Sequence, residues 1–345
     1  MRVLAVLFAL GSMAGLAQAQ SSAPAGPEPT GLVVGSGNFF SPIVRDLDKA
    51  VAFYRDGIGF EMAGQPANAN ENPELRNMFG LPDAHLRWTV ARAPGMQSGV
   101  EIVEISAAGG KPLQRRMQDS GAFTLIVFVR DIDATLARLK GLGAPVVSTG
   151  AVPATLPFGA GKTARMVMVQ DPDGHFVELV QPQEMPASQA PATANVVDVR
   201  VRLTVDDVDR SMQLYRDALG LKVVSAPTLR DDPTVSAALG VPGAQYRAGI
   251  MQVPTSGLTF EVIDFKGIDR RSVRGRLQDP GSTRIQFRVR DVDAAVAAFE
   301  KFGGEVVSTG GAPLELPVPG GSLKVAIARE LDNLFVVLIG APPPK

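Results

Sequence analysis

One short phrase occurs four times in this chain, and a repeat of that kind admits few architectures. It reads Val44-Arg45-Asp46-Leu47-Asp48, Val129-Arg130-Asp131-Ile132-Asp133, Val205-Asp206-Asp207-Val208-Asp209 and Val289-Arg290-Asp291-Val292-Asp293. The Asp at the third place of each copy stands where a helix N-cap belongs, after a strand-like stretch and before an amphipathic one. Apolar residues follow at helical spacing: Leu47, Ala50, Val51 and Tyr54 after the first copy, and Val208, Met212 and Tyr215 with Ser211 after the third. Before the third copy, Val199, Val201, Leu203 and Val205 alternate with Arg200, Arg202 and Thr204, the pattern of a strand with two unlike faces. Further strands are expected at 85–93, 100–106, 165–169, 176–181, 245–253, 259–264, 324–329 and 334–339. The chain therefore reads as four modules, each a strand, a helix and three more strands.

Modules one and two match modules three and four at an offset of about 160 residues. Val146-Val147-Ser148-Thr149-Gly150 returns as Val306-Val307-Ser308-Thr309-Gly310, and Leu156-Pro157 as Leu316-Pro317. Two tandem domains follow, at 36–182 and 196–340, joined by the Pro/Ala-rich linker 183–195. Residues 20–35 and 341–345 are expected to be loose. At the start, Arg2 precedes an apolar run from Val3 to Leu16, and Ala17-Gln18-Ala19 has the form of a cleavage site. Residues 1–19 therefore read as a signal peptide, too short to span a bilayer, and the mature protein as exported, periplasmic or extracellular, with no membrane attachment.

Lys plus Arg (34) nearly balances Asp plus Glu (35), so no charge excess recruits nucleic acid. With no Cys there is neither a disulfide nor a thiolate, and the only imidazoles are His85 and His175.

The phrases Ala52-Phe53-Tyr54-Arg55-Asp56-Gly57-Ile58-Gly59-Phe60 and Leu214-Tyr215-Arg216-Asp217-Ala218-Leu219-Gly220-Leu221, with the turn and strand Asp171-Pro172-Asp173-Gly174-His175-Phe176-Val177-Glu178-Leu179, carry a family likeness. In their order the chain resembles the vicinal oxygen chelate superfamily of glyoxalase I, methylmalonyl-CoA epimerase, extradiol dioxygenases and bleomycin-resistance proteins. The resemblance covers both repeats. It implies an α+β fold in which modules pair into two cupped mixed sheets. It also implies a divalent metal held from first strands by His or Gln and from last strands by Glu or His. Counted from the capping Asp residues, those positions are Phe39, Thr124, Arg200 and Arg284 on first strands, and Glu101, Glu178, Glu261 and Val337 on last strands. No first-strand residue is a ligand of the implied type, so no metal and no cofactor is expected. His175, on the strand phase opposite Glu178, is expected to serve the turn or the packing.

Alternation names the rest of the cup lining: Ser41, Ile43, Val103, Ile105, Ile126 and Phe128 among others in the first half, Arg202, Gln286 and Arg288 in the second. Glu101, Glu178 and Glu261 are candidate acid–base groups. Phe39, Thr124, Phe128, Arg200, Arg202, Arg284 and Arg288 are candidate ligand contacts. A guanidinium in a cup needs a carboxylate or a bound anion, because burying it alone is costly. Glu104 and Asp264, on the other strand phase, are expected at the surface, and Trp88 in the core. Two functions fit: a metal-free binder of a small organic anion or amphiphile, as bleomycin-resistance proteins sequester ligands, or a diverged lyase, isomerase or dioxygenase with a glutamate base or an atypical metal site. A catalytically dead subunit of a larger assembly is a third. The partner is then a small molecule, and the protein a monomer or homodimer.

Charge also bears on which modules pair. In-domain pairing sets Glu101 beside Glu178 and gathers the four arginines around Glu261. Crossed pairing distributes them, placing Arg284 and Arg288 with Glu101, and Arg200 and Arg202 with Glu178 and Glu261. At an effective dielectric near 20, unit charges a few ångströms apart interact by about 4 kcal/mol, which favours crossing.

Overall fold

The structure is a computed structural model that describes residues 31–68, 73–159, 161–318 and 321–340. The expected signal peptide, its cleavage site and the tail 341–345 lie outside the described residues. Module one comprises β1 (Val33–Ser36), β2 (Ser41–Val44), α1 (Leu47–Ala52), β3 (Glu61–Met62), β4 (Ala67–Asn68), α2 (Pro73–Met78), β5 (His85–Arg92) and β6 (Val100–Ser106). Module two comprises β7 (Phe123–Val129), α3 (Ile132–Gly141), β8 (Ala154–Pro157), β9 (Thr163–Gln170) and β10 (Phe176–Pro182). Module three comprises β11 (Val196–Thr204), α4 (Val208–Gln213), β12 (Lys222–Arg230), α5 (Pro233–Ala238), β13 (Gln245–Gln252) and β14 (Thr259–Lys266). Module four comprises β15 (Thr283–Val289), α6 (Val292–Lys301), β16 (Glu305–Val306), β17 (Leu314–Val318), β18 (Gly321–Arg329) and β19 (Phe335–Gly340).

Each repeated Asp is an N-cap. Asp46, Asp131, Asp207 and Asp291 accept the backbone N–H of Lys49, Ala134, Arg210 and Ala294. In three modules the last strand lends a second acceptor to the helix start: Glu104 to Leu47 N (2.9 Å), Gln181 to Ile132 N (3.1 Å) and Asp264 to Val208 N (3.4 Å). Asp264 is thus fully buried, not at the surface as its strand phase suggested. Glu104 also meets Arg87, at 3.2 Å.

The modules cross. One sheet of eleven strands follows the order β16-β18-β19-β15-β2-β6-β5-β3, with β1 on β15, and joins modules four and one. The other, of eight strands, follows β12-β13-β14-β11-β7-β10-β9-β8 and joins modules three and two. At the seams the first strands run antiparallel, with Arg284 opposite Ser41 and Arg202 opposite Thr124. The tandem repeats 36–182 and 196–340 are therefore not the units that close a sheet; each cup takes one module from each.

Alternation sorts the side chains into three bodies. Leu125, Val127, Val177, Leu179, Val199, Val201, Val262, Phe287 and Leu338 face the helices and share one core across both sheets. Phe40, Phe123, Phe260 and Phe287, one from each module, meet at its centre with successive ring centroids 5.5, 6.3 and 6.5 Å apart. The opposite faces line the cups: Ile43, Val103, Ile105, Val337 and Ile339 in cup one, Ile126, Phe128, Phe176, Val180 and Ile263 in cup two.

Two expectations fail near the chain start. Val33 to Gly35, placed in the loose segment, belongs to β1, where Val33 is fully buried and donates to Leu219 O at 2.9 Å. Phe39, placed in the cup, is buried in the helix-side core. The alternation does not reach it, because β2 begins at Ser41 and Phe40 makes only an isolated bridge to Val100.

Candidate functional site

Cup one is closed above by α2 and open within. Its cavity, about 30 Å³, is walled by Trp88, Val103, Val337 and Ile339 from the sheet and by Leu75, Met78 and Phe79 from the roof, with Glu101, Arg284 and Gln286 as its polar groups. Arg284 and Gln286 project from β15 two residues apart, so they share a face. Arg284 Nη2 donates to Glu101 Oε2 at 3.2 Å, and Gln286 Nε2 donates to the same oxygen at 2.7 Å. Gln286 is fixed at its other end, where Oε1 accepts Asn38 N at 3.1 Å.

Arg284 is the unusual group. Its side chain is 1% exposed, yet it makes one ion pair, and Nε has no partner within the described residues. Phe79 covers it, with the guanidinium carbon 4.6 Å from the ring centroid. Burial pulls its pKa below the usual arginine value, against the attraction of Glu101. Across the seam, Ser41 keeps a buried hydroxyl, also without a partner. Arg288 lies on the same face, beside Ile339 of β19, and forms no ion pair with a described residue; burial again lowers its pKa. Expected with Glu101, it stands instead further along β15, opposite Gly35 of β1 and outside the cavity lining.

Cup two has the same parts in another arrangement. Arg202 sits between two carboxylates, donating Nη1 to Glu178 and Nη2 to Glu261, the latter at 3.0 Å. Burial pushes the Glu178 carboxyl up and Arg202 pulls it down; the net shift is upward because burial outweighs the guanidinium, and the nearby Glu261 charge adds to the rise. Thr124 faces Met117, and Phe128 carries Arg200, whose guanidinium carbon lies 4.5 Å from the ring centroid. Arg200 does not reach Glu178. Asp198, two residues earlier and on the same strand face, holds it at 3.5 Å.

His175 serves packing. Asp171 accepts from its Nδ1 at 2.9 Å, Tyr54 donates to the same oxygen at 3.1 Å, and Nε2 meets Ser282 O at 3.0 Å. His85 is exposed at the start of β5. The structure adds Gln286, Trp88 and Phe79 to the expected site. Alternation gives Gln286 as a cup position, and the sequence places Trp88 in the core, where it is buried and also lines the cavity. Phe79 lies in a short roof that no periodicity marked.

The model of the Glyoxalase/Bleomycin resistance protein/Dioxygenase superfamily matches residues 38–179 and 199–312. The chain belongs to this superfamily. Among curated relatives, a probable chloroplastic lactoylglutathione lyase of Arabidopsis thaliana is 23% identical over 303 residues, 86% of this chain and 70% of that protein. A lactoylglutathione lyase of Oryza sativa subsp. japonica is 25% identical over 185 residues, 53% of this chain and 54% of that protein. The crystal structure of glyoxalase I from Zea mays is 17% identical, with a TM-score of 0.55, covering 88% of this chain and 92% of that one. At that identity the likeness concerns the fold.

The metal that the superfamily implies does not fit the residues present. In cup two a guanidinium already fills the space between the two carboxylates. In cup one Glu101 is the single acidic ligand at the implied positions, and both its neighbours, Arg284 and Gln286, donate to it. Among the described residues, no three His, Cys, Asp or Glu side chains converge on a point. A divalent ion brought to either cup would meet a fixed cation first, a repulsion of several kcal/mol at short range.

Proposed function

We propose that this superfamily member is an exported, metal-independent binding protein whose cup of modules one and four takes a small organic anion with an apolar body. One observation carries the proposal: Arg284 is buried in an apolar cavity with a single carboxylate and an unused Nε–H, while Arg288, four residues further along the same strand face, forms no ion pair with a described residue. A buried guanidinium is satisfied by planar, bidentate acceptors, and a ligand carboxylate is such an acceptor. The site with Arg284, Arg288 and Glu101 is net positive by one charge, which a monoanion neutralises. The walls from Leu75 to Ile339 suit an aliphatic or aromatic body. In cup two the Arg202 Nε is also without a partner, but Glu178 and Glu261 already offset its charge, so that cup supports no such role.

Trp88 is the only tryptophan and lines the cavity, so its fluorescence reports occupancy. Decanoate is expected to change the Trp88 emission saturably, and decanol, the same chain without the charge, to bind at least about tenfold more weakly, a difference of about 1.4 kcal/mol. Arg284→Gln and Arg288→Ala should each remove most of that preference. Equal affinity for the two probes would overturn the anion site. Export rests on Arg2, the apolar run and Ala17-Gln18-Ala19; intact mass of protein from the native envelope should give a chain starting at Gln20.

An enzymatic function has one observation in its favour, since Glu101 is the carboxylate that lines the cavity. As a general base it would deprotonate a bound substrate, and turnover that survives chelation but not Glu101→Gln would establish it.

A further inference from the structure

The cavity of cup one holds about 30 Å³, room for roughly two water molecules and not for an organic ligand. Anything larger enters only if a wall moves. The sheet walls are continuous strands, whereas the roof is the single turn-and-a-half of α2 and the residues after it.

The two roofs are copies of one another, which makes their differences informative. Pro73 to Ala84 and Pro233 to Ala244 occupy the same place in modules one and three, and each crosses its cup to the repeated Val-Val-Ser-Thr-Gly of the other half. The contact point is a glycine with left-handed φ in both. A Cβ on Gly80 (φ +68) would stand 2.4 Å from Val307 O, and one on Gly240 (φ +75) 2.8 Å from Val147 O.

Beyond that point the copies part. In cup two the roof is latched: Thr149 N donates to Ala237 O at 2.9 Å, and Ser148 Oγ donates to Ala238 O at 2.5 Å. In cup one, among the described residues, neither Ser308 nor Thr309 donates to α2 or Phe79. Ser308 Oγ only accepts Ile327 N, at 2.9 Å. Among the described residues, apolar contacts with Trp88 and Leu316 and the Phe79 ring over Arg284 join the α2 roof to the rest of the cup.

We infer that the α2 segment, residues 73–81, is the moving gate of cup one, and that the α5 segment is a fixed closure of cup two. The inference rests on the proposal that cup one binds an organic anion. Opening lifts Phe79 from Arg284, so the movement that makes room for the ligand's body also uncovers the cation that its head needs. A carboxylate on Arg284 then takes the place of the ring, and closure over the apolar body shields the new ion pair from water. Entry and charge recognition are one event in this arrangement.

Amide hydrogen exchange on the full mature chain tests this, with decanoate as the probe and Trp88 emission followed in parallel. Without probe, amides of 75–81 are expected to exchange at least about tenfold faster than those of 235–241, because the unlatched segment opens locally at lower cost. Saturating decanoate should slow the first set by about that factor and leave the second unchanged. Equal exchange of the two segments overturns the gate, as does a Trp88 response to decanoate with no slowing at 75–81; in both cases the binding proposal stands. Fast exchange at 75–81 with no Trp88 response supports the mobile roof and sinks the binding proposal instead.

Discussion

Arginines on the cup faces of first strands behave differently here because of what stands two residues or one strand away. Arg202 is fixed by Glu178 and Glu261, Arg200 by Asp198 and the Phe128 ring, while Arg284 shares one carboxylate with Gln286. Titratable groups away from the cups also leave a signature. Burial, with Asp332 beside it, pushes the Glu330 carboxyl up to about 8. Burial opposes a charge on His175, but Asp171 at its Nδ1 outweighs burial and holds the pKa above the ordinary imidazole value. Both folded values lie above the unfolded ones, so the native state binds more protons. The stability that goes with those protons is complete below pH 4.5 for Glu330 and is lost between there and about 8; for His175 it is lost as pH rises above 6.5. Denaturant titrations are expected to show stability declining from pH 5 to 9. Glu330→Gln, whose amide oxygen can still accept Leu334 N, should flatten that decline by up to a few kcal/mol, at about 1.4 kcal/mol per pKa unit. An identical slope in variant and wild type would remove Glu330 as its source. The sequence held the means to place Arg200, since Asp198 stands on the same strand face. It held none for Glu330, whose burial depends on a turn packed beneath the helix of another module.

Helices and strands were legible where a pattern ran long enough to repeat. The four capping Asp residues are such a pattern. At Asp291, which caps the ten-residue α6, substitution by Ala should cost about 1 kcal/mol, read as a lower denaturation midpoint at unchanged slope. No loss would mean that Asp293 or the strand contacts alone fix the helix start. The roofs α2 and α5 escaped notice because six residues give no helical period, and their apolar residues follow a tertiary surface. The edge strand β12 was missed for a related reason. It carries Pro227 and is exposed along most of its length, which an edge tolerates because half its backbone groups need no partner in the sheet. Phe39 shows the limit of alternation itself, which holds only inside a regular strand.

Across the whole molecule, crossing decides what each half can do alone. β2 finds its seam partner in β15 and β7 in β11, so residues 31–195 on their own expose two first-strand edges and half of the shared aromatic core. Expressed separately, that half should either lack a cooperative melt or form a dimer that restores both seams, as sedimentation would show. A cooperative monomer would contradict the crossed arrangement. Crossing is also what brings Glu101 of module one to Arg284 and Gln286 of module four, and so creates the cup that α2 covers. The most direct measurement is a decanoate titration of wild type and Arg284→Gln by Trp88 fluorescence, before and after exhaustive chelation and elemental analysis. Wild-type affinity should be unchanged by chelation and about tenfold or more higher than that of the variant. Binding that disappears with the chelator and returns with a divalent ion, or that is indifferent to Arg284, would contradict metal-independent anion recognition.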